Sequence, residues 1–250
     1  MSAWANLEVM TDTPPTSIVW ASNGAEGSGK SYFGLTAPGP IFVCAFDPFG
    51  MERVSKEVKA DKEIRIGRYP FTPAKGAKKD PISIAATATW NRFLDDFHIA
   101  LGSARTILWD REDLAWELLR YSSFGAQNDA PKEYGPLNDE YIGLVQSATA
   151  AHVNLGLLRG MKDYWVSKFD AQKQKYVPHN TGELIPDGQK KIPDHVDITV
   201  AHKWDSTDKM FKTIIGKFPN IEYRDVEFGN MTFAEMAMAA YPDSDVENWS

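Results

Sequence analysis

Cysteine is almost missing from this chain. Cys44 stands alone among 250 residues, which excludes an internal disulfide and a thiolate cluster for zinc. It sits in an apolar run and is expected to be a buried bystander. No apolar stretch is long enough to span a bilayer. The opening residues, Met1-Ser-Ala-Trp-Ala-Asn-Leu-Glu8, lack the basic-then-apolar pattern of a secretory signal. A soluble, cytoplasmic protein without a membrane partner is therefore expected. His98, His152, His179, His195 and His202 share no spacing typical of a metal site. No G-x-S-x-G elbow occurs. Positive charge is not in excess either. The net charge of −7 argues against a surface that coats nucleic acid over most of its area, although a local basic groove remains compatible with it.

What is present is ordinary globular material, 43% hydrophobic and 24% charged. Residues 1–15 are polar, end in Thr13-Pro14-Pro15 and read as an arm. Residues 16–250 read as a single domain: a core at 16–160, a β-rich extension at 161–230, and a terminal helix and tail at 231–250. In the core, Thr16–Trp20, Ile41–Phe46, Ile64–Ile66, Thr106–Trp109 and Val153–Leu158 have strand character. Helical spacing marks 31–35, 51–62, 87–100, 112–121 and 138–151, and the prolines and lysines of 70–83 mark a loop. Such alternation predicts an α/β fold with a mainly parallel sheet and helices on both faces. Residues 163–168, 175–178, 195–202, 210–217 and 221–228 read as short strands whose hairpins extend that sheet. A helix near Thr232–Ala240 closes the chain.

One motif carries chemistry. Gly24-Ala25-Glu26-Gly27-Ser28-Gly29-Lys30-Ser31 satisfies G-x-x-x-x-G-K-[ST] at every fixed position, between a strand and a helix. Glycines let such a loop turn its N–H groups onto a phosphate. The following helix, through Tyr32, presents its amino end to the anion. Lys30 is expected to meet the β- and γ-phosphates, and the Ser31 hydroxyl to hold Mg²⁺. No N-K-x-D motif is present for guanine, so ATP is the expected nucleotide. A P-loop protein also needs a carboxylate at a strand end near the metal. Asp47 and Asp110 both qualify. Asp47 would give the layout of nucleotide kinases, and Asp110 that of the RecA-like and AAA-like branch. The spacing from Lys30, with room for two βα units, favours Asp110.

Thr16–Val54, with the P-loop, the Pro38-Gly39-Pro40 break and a strand ending in Asp47, resembles small phage-encoded RecA-like ATPases, some of them single-strand annealing recombination proteins. Thr106–Asp110 followed by Leu114–Arg120, and Val153–Leu158 running into Arg159–Trp165, resemble the same group. The resemblance implies a RecA-like core that oligomerises, binds ATP and acts on single-stranded DNA, in host cytoplasm if phage-encoded. It also implies a catalytic glutamate after the second strand. That place falls at Phe49, so hydrolysis is expected to be slow, with Asp47 or Glu52 as substitutes. A polar sensor after the next strand would be Arg159 or Lys162. The expected catalytic set is thus Lys30, Asp110, Asp47 and Arg159.

Residues 166–194 hold Lys168, Lys173, Lys175, Lys190 and Lys191, interleaved with Phe169, Tyr176 and His179. Lysines that follow phosphates and rings that stack on bases are the chemistry of sequence-independent single-strand binding. A hairpin used in subunit packing is the other reading of this segment. Two further functions compete with a DNA-dependent ATPase. One is a non-hydrolysing nucleotide-gated scaffold or loader, and the other is a small-molecule or nucleotide kinase, for which no arginine-rich lid is evident.

Overall fold

The computed structural model describes residues 14–48, 51, 54, 62–73, 79–125, 134–170, 172 and 174–249. Expectations for most of the arm, for most of the helix at 51–62, and for Phe49, Glu52, Lys75, Lys78 and Lys173 lie outside these residues.

Strands and helices alternate through Val19–Asn23 (β1), Lys30–Leu35 (α1), Ile41–Ala45 (β2), Ile64–Arg68 (β3), Lys79–Leu101 (α2), Thr106–Asp110 (β4), Glu112–Phe124 (α3), Tyr134–Ala150 (α4) and Asn154–Arg159 (β5). Next come Met161–Asp170 (β6), Lys175–Pro186 (β7), Ile192–His195 (α5), Ile198–Asp205 (β8), Met210–Ile215 (β9), Glu227–Gly229 (β10) and Phe233–Ala240 (α6). An eight-stranded sheet has the order β10-β9-β8-β1-β5-β4-β2-β3. The run from β8 to β3 is parallel, and β9 and β10 are antiparallel additions. The α/β class and the mainly parallel sheet agree with the sequence.

The central strands β1, β4 and β5 are buried along their whole length. Continuous burial requires cover on both faces, and side-chain alternation sorts the cover. Val19, Trp109 and Leu155 point into one core with Phe93 and Phe97 of α2, Trp116 of α3 and Tyr141 of α4. Trp20, Leu108 and Leu158 point the other way, onto Phe33 of α1 and Phe233 of α6. Ring edges meet ring faces in the first core. Phe93 and Trp109 lie 5.3 Å apart at 84°, and Trp109 and Tyr141 lie 5.4 Å apart at 72°. Each such pair contributes about 0.5–1.5 kcal/mol beyond the area it buries.

Several boundaries differ from the sequence expectation, each for a local reason. β1 runs on to Asn23 because its polar end is satisfied inside the protein: Ser22 Oγ bonds His202 Nε2 at 3.1 Å, and Asn23 Nδ2 donates to Val200 O at 3.3 Å. The helix expected to start at 87 starts at Lys79. Pro81 falls in its first turn, where a missing N–H breaks no helical bond. Residues 221–228 form a 3₁₀ turn at Ile221–Tyr223 before the short β10, because the Asn220 side chain accepts the Glu222 N–H. The expected extension divides in two. β8, β9 and β10 widen the main sheet, whereas β6 and β7 form a separate two-stranded sheet. The terminal helix α6 is present, with a Thr232–Glu235 capping box at its start.

Gly156 lies mid-strand in β5, where a Cβ would collide with the Trp20 indole and the Leu108 side chain. Gly156→Ala is expected to cost about 1–3 kcal/mol, the usual penalty for overpacking. Urea unfolding would register it as a lower midpoint at unchanged slope.

Candidate functional site

β1 delivers the glycine-rich loop to the carboxyl edge of the sheet. Gly29 ends the loop with φ 99°, a left-handed conformation open to glycine, and α1 begins at Lys30. Lys30 folds back over its own loop. Its ammonium donates to Gly24 O and Ala25 O, both at 2.7 Å, and more weakly to Ser28 Oγ at 3.4 Å. Burial lowers the Lys30 pKa, and the Asp110 carboxylate opposes that shift.

β4 and β2 bring the acids. Their register pairs Ala45 with Asp110, so Asp47 emerges beside Asp110 two residues past the end of β2. The loop and both carboxylates line one cavity of about 350 Å³. Gly24, Glu26, Gly27, Ser28, Gly29, Lys30, Ser31 and Tyr32 all contribute to its wall. Ala25 does not, and takes part only through the carbonyl that Lys30 grips. Asp110 is 5% exposed, and its Oδ2 has no hydrogen-bond partner. Burial, followed by the like charge of Asp47, pushes its pKa up to about 6, against the pull of Lys30 and Arg111. Among the described residues no group of three or more His, Cys, Asp or Glu could hold a metal by itself. An ammonium facing two carboxylates suits an anion that arrives with a divalent cation and completes that cation's ligand shell.

Arg159 does not reach this cavity, and its expected sensor role is corrected by its surroundings. The side chain is 3% exposed, and its Nε lies 3.1 Å from Glu112 Oε2. It also donates to Asp187 O at 2.9 Å and Gln189 O at 3.1 Å. Glu112 in turn accepts the Tyr141 hydroxyl at 2.9 Å and the Gln189 N–H at 3.3 Å. Burial raises the Glu112 pKa to about 7, and Arg159 is the strongest influence pulling it back. The network ties the end of β5 and the start of α3 to the segment leaving β7. Lys162 is likewise committed, to Asp187 at 2.5 Å.

Four contributors to the cavity escaped the sequence reading: Val54, Arg111, Gly160 and Phe211. Arg111 belongs to Asp110-Arg-Glu-Asp113, four consecutive charged residues that begin at the last residue of an apolar strand, and that abrupt change was the available signal. Phe211 comes from β9 and carried no local signal. Its ring stacks with Tyr32 at 6.0 Å and meets Trp204 edge-on at 5.0 Å, building an apolar wall beside Gly29.

The strands expected at 163–168 and 175–178 are longer than expected and form the β6–β7 hairpin, followed by α5. Its register pairs Trp165 with Asn180 and Phe169 with Tyr176 on one face, and Val166 with His179 and Lys168 with Val177 on the other. Trp165, Phe169 and Tyr176 are exposed. Lys168 and Lys175 are exposed too, on the second face, whereas Lys190 and Lys191 sit past the hairpin beside α5. The Phe169 and Tyr176 rings are thus separated in space from Lys168 and Lys175, while His179 shares the lysine face.

No protein-family model matches the chain, and no curated protein matches it as a relative. Among the described residues no helix is long and apolar enough to cross a membrane.

His202 of β8 lies under the loop, bonded to Ser22 and to Thr213 Oγ1 at 3.2 Å, with its ring 5.0 Å from that of Phe33. Burial, helped by Lys30, lowers its pKa from 6.5 to about 3. Between these values the unfolded chain binds a proton that the native protein refuses. This residue's contribution is therefore present above pH 6.5 and lost as pH falls towards 3. The stability gap between wild type and His202→Gln is expected to shrink by up to about 1.4 kcal/mol per pH unit below 6. Denaturant titrations of both proteins from pH 7 to 4 measure it.

Proposed function

We propose that this chain is an ATP-binding P-loop protein of RecA-like type, acting as a slow, DNA-dependent ATPase that binds single-stranded DNA as an oligomer in phage recombination or replication. The observation that carries the reading is the strand order. β5 lies between β1, which bears the glycine-rich loop, and β4, which ends in Asp110. In a nucleotide kinase layout the acidic strand would stand next to the loop strand, which here would make Asp47 on β2 the partner. β2 is separated from β1 by both β4 and β5.

Lys30 and the loop would grip the β- and γ-phosphates, with the base against Phe211 and Tyr32. Ser31 and Asp110 would hold Mg²⁺, and the unpartnered Asp110 Oδ2 fits that use. The ion's contribution is to neutralise charge across the two phosphates. Asp47 is the candidate for positioning water. Its carboxylate is engaged by Arg111, 3.7 Å from Nη1, rather than open to a water. That contact favours slow turnover, and in the limit a nucleotide-gated scaffold or loader for a replication enzyme. The exposed aromatic face of β6–β7 would stack on bases. Gly160, which lines the cavity, directly precedes β6, so the two sites share one stretch of chain.

ATP binding and turnover, with and without single-stranded DNA, test the first half. Wild type is expected to bind Mg·ATP and to hydrolyse it faster with DNA, and Lys30→Ala to lose at least roughly tenfold in affinity, as expected for charge-assisted bonds. A wild-type chain that binds no ATP overturns the reading, and tight binding without turnover in either condition leaves the scaffold. Phe169→Ala/Tyr176→Ala tests the second half. Its affinity for an oligothymidylate is expected to drop roughly tenfold, with ATP affinity unchanged. Unaltered DNA affinity would assign the hairpin to subunit packing.

A further inference from the structure

We propose that Arg111 reads the terminal phosphate of the bound nucleotide from within the same chain, held in position by Asp113. The inference rests on the ATP-site reading above and adds to it the basis for telling a nucleoside triphosphate from a diphosphate.

Arg111 occupies an unusual place. It follows Asp110, lines the cavity opposite the glycine-rich loop, and precedes α3 with φ 66° and ψ 67°. Non-glycine residues seldom adopt this left-handed conformation, and Asn or Asp are the usual exceptions. Arginine gains no capping bond there to offset it, since its side chain makes none to the helix backbone. The conformation does aim the residue. The Asp113 carboxylate accepts Arg111 Nε at 3.0 and 3.1 Å and Nη2 at 2.7 Å, gripping one edge of the guanidinium. Asp113 is itself buried, with 5% of its side chain exposed, and also accepts the Gly160 N–H at 3.3 Å. The Nη1 corner is left towards Asp47, at a distance beyond hydrogen bonding.

A guanidinium fixed along one edge and presented at another is suited to phosphate. It is planar, always charged and able to donate two parallel bonds to a phosphoryl group. Lys30 and the loop would hold the β- and γ-phosphates from the β1 side, and Arg111 lines the same cavity from the end of β4, beside Asp47. The terminal phosphoryl group, with its three anionic oxygens, is the part of the ligand that would meet it. A diphosphate would lack that partner.

Equilibrium affinities of the full-length protein for Mg·ATP and Mg·ADP decide the matter without requiring turnover. Wild type is expected to prefer ATP. Arg111→Ala should lose roughly tenfold or more in ATP affinity, with ADP affinity changed less than about twofold. Asp113→Asn should show the same selective loss to a smaller degree. Arg111→Lys keeps the charge without the fork and should fall between wild type and Arg111→Ala; it also serves if the alanine variant misfolds, and circular dichroism melts check each fold. Equal losses for ATP and ADP, or no loss for either, would make Arg111 a structural clasp and overturn the proposal alone. A wild-type chain that binds neither nucleotide, and so behaves like Lys30→Ala, would overturn the ATP site as well.

Discussion

A parallel ladder points the carboxyl ends of all its strands at one edge, and most of what this molecule can do chemically is gathered at that edge. β1 brings Lys30 there, β2 brings Asp47, and β4 brings Asp110 and Arg111. β8, parallel to β1, hands the chain to β9 and so supplies Phe211. Lys30, Asp47, Asp110 and Phe211 come from four separate stretches of the chain. The helices on each face keep the ladder continuous, because an uncovered parallel sheet would leave its apolar central strands in water.

Charge is then taken below the surface in consecutive residues. Asp110, Glu112 and Asp113 are all buried, and two arginines answer them: Arg111 for Asp113 and Arg159 for Glu112. The Arg159–Glu112 pair is fully buried and the Arg111–Asp113 pair half-buried; a buried pair seldom adds net stability, since desolvation consumes most of the attraction, but removing one partner is costly. They are better at fixing geometry. One pair sets a guanidinium at the cavity, and the other fastens the segment leaving β7 to the first turn of α3. Acids in that turn also face the favourable end of the helix dipole.

The glycine-rich loop and the two strand-end aspartates were legible in the sequence because each depends on short-range rules: glycine conformations, apolar runs, and a charge at the end of a run. The strand core was legible for the same reason. What was hidden depends on partners far along the chain. Ser22 and Asn23 lie past the expected end of the first strand, and only His202 and Val200, contributed by β8, show why the strand continues through them. Arg159 read as a sensor because its position was right. Its burial follows from Glu112 and from the carbonyls of Asp187 and Gln189, which only the fold assembles. Phe211 had no mark at all, since its role comes from a hairpin that lies next to the loop only in three dimensions.

Among the described residues the β6–β7 hairpin pairs with no strand of the main sheet, which frees it from a restriction that binds the others. Its length can vary without disturbing the ladder beneath it. Variation must still keep the parity of each strand, as the hairpin itself does where β7 carries two extra residues between Leu184 and Asn180. A single inserted residue would reverse every side chain beyond it, carrying rings to the lysine face and lysines to the aromatic face. Related chains could therefore carry longer or shorter arms of the same two-sided character, reaching different distances from an unchanged base.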